Sequence, residues 1–157
     1  MEKQALRAFA LRVPPLVLMA FFGVAMWLLP SVAAVPRLDP WHDELCAALA
    51  LAGAAICLAG VLAFRLARTT VDPMHPAAAT SLVVRGIYHY SRNPMYLGFL
   101  VVLLAWALYL AKLSAFAMPP VFVLYLTALQ IKPEEAALRE RFGPEFDDYT
   151  ARVRRWL

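Results

Sequence analysis

The sequence predicts an all-α integral-membrane protein: one domain, 1–157, forming a bundle of four transmembrane helices with amphipathic helices at its C-terminal end. Two observations lead there. Of the 157 residues, 62% are hydrophobic and 17% charged, against roughly 45–50% and about 25% in an ordinary soluble domain. Charge-free runs occupy 13–35, 45–64, 93–111 and 113–131, the last two parted only by Lys112. Each comes close to the ~20 residues a helix needs to cross the hydrocarbon core. Spans at about 13–35, 45–66, 94–111 and 114–131 follow, with a loop at 67–93 and a tail at 132–157.

Taken in order, the first span opens on Pro14 and Pro15, tolerated in a first turn because those N–H groups lack helical partners anyway. Its length argues for a retained span over a cleaved signal peptide. Gly23, Gly53 and Gly60, among Ala50, Ala52, Ala54, Ala55 and Ala59, give spans one and two small faces for close packing. Cys46 and Cys57 both fall in the second span. Eleven helical steps put them roughly 16 Å apart, too far for a disulfide, so they read as inert buried thiols. The loop is broken by Pro73 and Pro76 and by Thr69, Thr70, Thr80 and Ser81, and ordered loops of that length are usually functional. Asn93 is placed to cap the third helix with Pro94 at its first position. Free amides and the positive end of the helix then suit an anionic group. Pro119 and Pro120 predict a kink or a late start in the fourth span. In the tail, Glu134 and Glu135 form an acidic first turn. Apolar residues recur from Ala136 to Trp156 around a Gly143–Pro144 break, as in two short helices lying on the membrane face.

Cations orient the chain. Lys3, Arg7 and Arg12 precede span one; Arg65, Arg68, Arg85 and Arg92 face the single Asp72 in the loop; the 36–44 connection holds Arg37 against Asp39, Asp43 and Glu44. Both termini and the loop are expected in the cytoplasm, with Lys112 against the rule. The net charge of +4 biases the protein toward anionic headgroups; no nucleic-acid pattern accompanies it. His42, His75, His89 and the cysteines show no metal-ligand spacing, so no metal is expected. The spans lack charged interior residues, which argues against a third class, a transporter.

One stretch stands out at the mouth of span three: "LVVRGIYHYSRNPMYLG", followed some forty residues on by "EEAALRERFGPEFDDY". The pair resembles the integral-membrane methyltransferases related to isoprenylcysteine carboxyl methyltransferase and phospholipid N-methyltransferase. The matching positions are Leu82, Val83, Gly86 and Tyr88, then Arg92, Asn93, Pro94, Tyr96 and Gly98, and in the second signature Glu134, Glu135, Phe142, Gly143 and Tyr149. The resemblance implies an S-adenosylmethionine pocket on the cytoplasmic side, closed by the tail. Carried over by position, cofactor contacts fall to Thr80, Ser81, Leu82, Val83, Tyr88, Asn93, Pro94, Met95, Tyr96, Glu134 and Glu135. Arg92, Tyr88 and His89, in that order, are the candidates for meeting the acceptor or its leaving proton.

The residue types suit that ligand. Carboxylates pair with its ammonium, Arg92 or the amides after Asn93 with its carboxylate, and tyrosines with adenine or sulfonium. Asn93 stands where carboxyl methyltransferases carry histidine, and Gln130 near where they carry an arginine, so the phospholipid branch is favoured. The expected acceptor is a lipid or other amphipathic molecule reached from the bilayer, with an isoprenylcysteine-like carboxylate as the alternative. A bacterial inner membrane is the expected location. Taken singly, Tyr88, Tyr90 and Tyr96 also suit an interfacial aromatic belt, Arg92 an anchor, and the glutamates a helix dipole. The competing reading is therefore a non-catalytic membrane scaffold or binding protein. The oligomeric state is not specified.

Overall fold

Pro14, extended at φ −56°, ψ 134°, sets the entry to the first helix, α1 (Pro15–Leu28). The structure, a computed structural model, describes residues 13–38, 40–67 and 81–157. Five further helices follow: α2 (His42–Leu66), α3 (Pro94–Leu110), α4 (Met118–Leu126), α5 (Lys132–Phe142) and α6 (Pro144–Arg152). Short 3-10 turns at Gly86–His89 and Leu113–Ala117 lead into α3 and α4. Among the described residues the fold is all-α; the one β feature is an isolated bridge between Ala34 and Lys112.

α1 is shorter than its charge-free run. Leu29 precedes Pro30 and turns extended, at φ −59°, ψ 136°, as the ring of a following proline requires. The chain then straps across one end of the bundle. Val35 N–H donates to Ala111 O at 2.8 Å and Leu113 N–H to Ala33 O at 2.9 Å. Lys112 Nζ donates to Trp27 O at 2.9 Å and Leu29 O at 3.4 Å. It thereby satisfies carbonyls that the end of α1 leaves open, which explains a cation on a connection otherwise poor in them.

α2 starts earlier than its apolar run, with Asp43 and Glu44 in the first turn, where the dipole favours them. Buried His42 anchors that end: its Nδ1 lies 3.1 Å from Leu38 N and its Nε2 3.1 Å from Leu108 O. Since the Leu38 amide can only donate, Nε2 carries the proton.

The closest packing is between α2 and α3, and small residues make it possible. A Cβ on Gly53 would lie 2.8 Å from Gly98 O; one on Gly60 would lie 2.6 Å from Met95 Cγ. A Cβ on Gly98 would reach Gly53 O at 2.6 Å and overlap Cys57 Sγ. Cys57 Sγ also donates to Met95 O at 3.3 Å, and both cysteines are free thiols.

Pro119 and Pro120 sit in the first turn of α4, behind the Leu113–Ala117 turn: the helix starts late. α4 continues through a π turn, Thr127–Ile131, into α5. Counted with the 3-10 turn before α4, the continuous helical stretch Leu113–Phe142 is 30 residues long. It and α2 are long and apolar enough to cross a membrane; α1 and α3 are apolar but shorter, at 14 and 17 residues. Gly143, at φ 52°, makes the elbow between α5 and α6, a backbone state that costs glycine little.

Leu18, Phe22, Met26, Leu103, Phe122, Leu126 and Ile131 form the core, with the Phe22 and Phe122 rings edge to face at 5.3 Å. α1, α2 and α3 run antiparallel in succession, since the end of α1, the start of α2 and the end of α3 meet at the strap. α1 and α2 both pack on α3 with an apolar groove of about 660 Å³ between them at that same end, lined by Trp27, Cys46, Trp106 and Tyr109 among others. The polar residues singled out from the sequence lie at the opposite end.

Candidate functional site

At that opposite end the two sequence signatures meet. α3 begins with Pro94 in its first turn, and the helical period carries Tyr96 inward, where it is 4% exposed. α5 begins one residue after the π turn, and its first turn brings Glu134 across from α3. Tyr96 OH donates to Glu134 Oε1 at 2.5 Å. This is a short contact of the kind expected between a hydroxyl and a carboxylate.

Glu135, the next residue, faces the tail. Arg155 grips it with two bonds, Nε to Oε1 at 3.0 Å and a terminal nitrogen to Oε2 at 2.6 Å. Arg92 approaches the same carboxylate at 3.3 Å. Arg92 is largely enclosed, and its Nε is buried with no hydrogen-bond partner. Burial pulls the Arg92 guanidinium below its ordinary pKa, with Glu135 opposing the shift.

The tail closes over this cluster. Arg92 N–H donates to Arg154 O at 3.0 Å and Asn93 Nδ2 to Arg155 O at 2.9 Å. Tyr149 OH donates to Tyr88 O at 2.7 Å, and Trp156 Nε1 to Thr127 Oγ1, on the π turn, at 3.2 Å. Phe146, Tyr149 and Val153 pack with Leu82, Val84, Leu138 and Phe142 in a second small core. The amphipathic face of α6 is thus covered by the 82–84 segment and α5.

The other sequence-derived candidates fall around this cluster unevenly. Val83 and Tyr88 are buried, and Tyr88 meets Phe64 edge to face at 5.3 Å; burial raises the Tyr88 pKa. Leu82 is half-buried against the tail. Ser81 Oγ donates to Ala67 O at 3.4 Å, at the edge of the described chain. Pro94 is buried and Met95 packs against Gly60 of α2. Asn93 holds the N-cap position but its side chain does not cap; it reaches for the tail backbone instead, while Ser91 Oγ accepts from Asn93 N–H at 3.1 Å. His89 is exposed, with its ring edge to face on Tyr90 at 5.6 Å. Thr80 lies outside the described residues.

Three residues entered the cluster without being singled out for it. Arg155 carried no local signal, being one of several cations in "ARVRRWL" and twenty residues from Glu135. Ser91 was equally silent; Tyr149 stood in the second signature and recurs on the apolar face of α6, but nothing in the sequence assigned its hydroxyl to Tyr88 O.

Burial pushes the Glu134 carboxyl up to about 8, with the Tyr96 hydrogen bond opposing the shift. With the Arg92 guanidinium and a buried aromatic wall, this group suits a ligand that carries an ammonium and a carboxylate at one end and is flat at the other. Residues 43–145 match the family described as phospholipid methyltransferase. The chain belongs to that family. An uncharacterized protein of Haemophilus influenzae is 43% identical over 63 residues, spanning the whole of that protein and 40% of this chain. No solved structure matches. Membership of the phospholipid methyltransferase family implies a membrane methyltransferase. The matched stretch contains Tyr96, Glu134, Glu135 and Arg92 but stops short of Arg155.

Proposed function

We propose that this chain is an S-adenosylmethionine-dependent methyltransferase, held in a membrane by four helices, that methylates a lipid or other amphipathic acceptor arriving from the bilayer. The observation that carries the reading is the Tyr96–Glu134 contact, which joins the two signatures at one point. When bound, S-adenosylmethionine supplies a methyl group on a sulfonium that is already a good leaving group.

The residues present fit such a ligand. Glu134, oriented by the Tyr96 hydroxyl, pairs with the ammonium. Arg92, held to Glu135 by one contact at 3.3 Å, and the free amides at the head of α3 take the carboxylate. Val83 and Tyr88 offer an apolar and aromatic wall to the adenine. The tail keeps water from the reacting atoms, so that alignment at about 3–3.5 Å supplies much of the rate. Arg92, Tyr88 and the exposed His89, in that order, are the groups proposed to meet the acceptor or its leaving proton.

The exposed apolar residues of α1 and α2, such as Phe21, Leu28, Leu51, Leu58 and Leu62, suit a lipid surround. α1 and α3 would span roughly 21 and 25 Å at 1.5 Å per residue, short of a ~30 Å core. The strap after α1 and local thinning of the bilayer make up the difference. The end that carries Arg65, Arg85, Arg92, Arg154 and Arg155 faces the cytoplasm.

The test is calorimetric titration of detergent-purified protein with S-adenosylmethionine and its demethylated product. Saturable binding is expected. Tyr96→Phe should weaken it about tenfold and Glu134→Gln by more, since each leaves a buried partner unsatisfied at ~1–3 kcal/mol. Unchanged affinity in both variants would refute the site.

A further inference from the structure

Glu135 was expected to be a cofactor ligand, yet its carboxylate is held on both sides by arginines of this chain. The contact with Arg155 is forked, at 3.0 and 2.6 Å, while Arg92 makes a single longer approach at 3.3 Å. A forked guanidinium–carboxylate pair fixes both direction and distance. Arg155 therefore sets where Glu135 points, and Arg92 follows. The Glu135 and Arg92 side chains are 14% and 13% exposed, so solvent does little to screen the arrangement. The tail backbone pins the same stretch, with Arg154 O on Arg92 N–H and Arg155 O on Asn93 Nδ2.

We propose that Arg155 is a positioning residue: by forking onto Glu135 from the tail, it limits Arg92 to a single 3.3 Å approach to that carboxylate and leaves the rest of its guanidinium for the ligand's carboxylate. The proposal rests on the adenosyl-ligand reading of the site. Its logic is competition. Glu135 has two oxygens, and the fork from Arg155 engages both. Without that fork, Glu135 is a buried carboxylate whose remaining strong partner is Arg92. Arg92 then closes on it with two bonds and its spare donor is consumed. The ligand's carboxylate loses its partner, whereas the adenosine portion loses nothing. On this proposal the same contact couples tail docking to ligand binding, since the side chain that restrains Glu135 arrives with the tail.

Two thioethers separate these effects. S-adenosylhomocysteine carries the amino-acid carboxylate; 5′-methylthioadenosine lacks both it and the ammonium. Calorimetric titration of each is made against the full chain as wild type, Arg155→Ala and Arg155→Lys. The expected result is a loss of about tenfold or more for S-adenosylhomocysteine in Arg155→Ala, with 5′-methylthioadenosine affinity within about twofold of wild type. Arg155→Lys, which keeps the charge but cannot fork, should fall between. Retained 5′-methylthioadenosine binding also shows that the variant is folded. An equal loss for both ligands would make Arg155 a general support of the tail, and no loss for either would make it a bystander; each overturns the proposal. Binding of neither ligand by the wild type would instead sink the adenosyl pocket, and this role of Arg155 with it.

Discussion

Tyr149 shows how a single hydroxyl ties the tail to the site. It donates to Tyr88 O from a ring that is 4% exposed, and Tyr149→Phe should cost about 1 kcal/mol of tail docking. Burial raises the pKa of both Tyr88 and Tyr149, with Arg92 pulling Tyr149 partly back. A raised pKa in the fold means that the neutral hydroxyl is favoured there. The stabilisation is complete below the unfolded tyrosine value near ~10 and drains away as pH rises above it. Subtilisin nicking of the tail, normalised to an unfolded substrate, should accelerate as pH rises above about 10, and less steeply in Tyr149→Phe, where Tyr88 alone of the two remains to titrate. The pairing of Tyr96 with Glu134 was legible because each stood in a recognisable signature. The division of labour between Glu134 and Glu135 was not: adjacent glutamates look alike in a string, and what separates them is a hundred-degree step of helix that turns one toward α3 and the other toward Arg155.

Among the elements, the α2–α3 seam is the most sharply specified. Gly98→Ala would place a methyl 2.6 Å from Gly53 O, a backbone atom that cannot swing aside. It should destabilise the protein by about 1–3 kcal/mol, read as a lower midpoint of thermal unfolding in one detergent. Gly23→Ala is the contrast: its nearest neighbour, Leu103 Cδ2, lies 4.0 Å away. That change should be neutral or stabilising by up to ~1 kcal/mol from helix propensity. The glycine- and alanine-rich face of α2 was readable as a packing surface, and the prolines at 119 and 120 as a boundary, because small size and a missing N–H act locally. The end of α1 was misjudged by charge alone, since no charge marks the stop; Pro30 does. The groove between α1 and α2 had no signature at all, because it depends on how two helices splay on a third.

At the scale of the whole molecule, the separation into an apolar bundle, a strap at one end and a polar cluster at the other follows from where charges are allowed. What composition does not encode is the aim of the last third of the chain. The π turn at Thr127–Ile131 stands where an unbroken α-helix would hold one residue fewer. Each residue added to or taken from an α-helix rotates everything beyond it by about 100°, which would carry Glu134 away from Tyr96 and α6 away from the 82–84 segment. Only within the π turn can the chain shorten by one without that rotation, because the wide turn simply relaxes to an ordinary one. Deleting exposed Ala128 should therefore leave ligand binding within a few-fold of wild type, whereas deleting exposed Leu124, one turn earlier, should abolish it. Chain length in this helix is thus free to drift at one place and fixed elsewhere, and relatives that differ by a single residue there would still point the same carboxylate at the same hydroxyl.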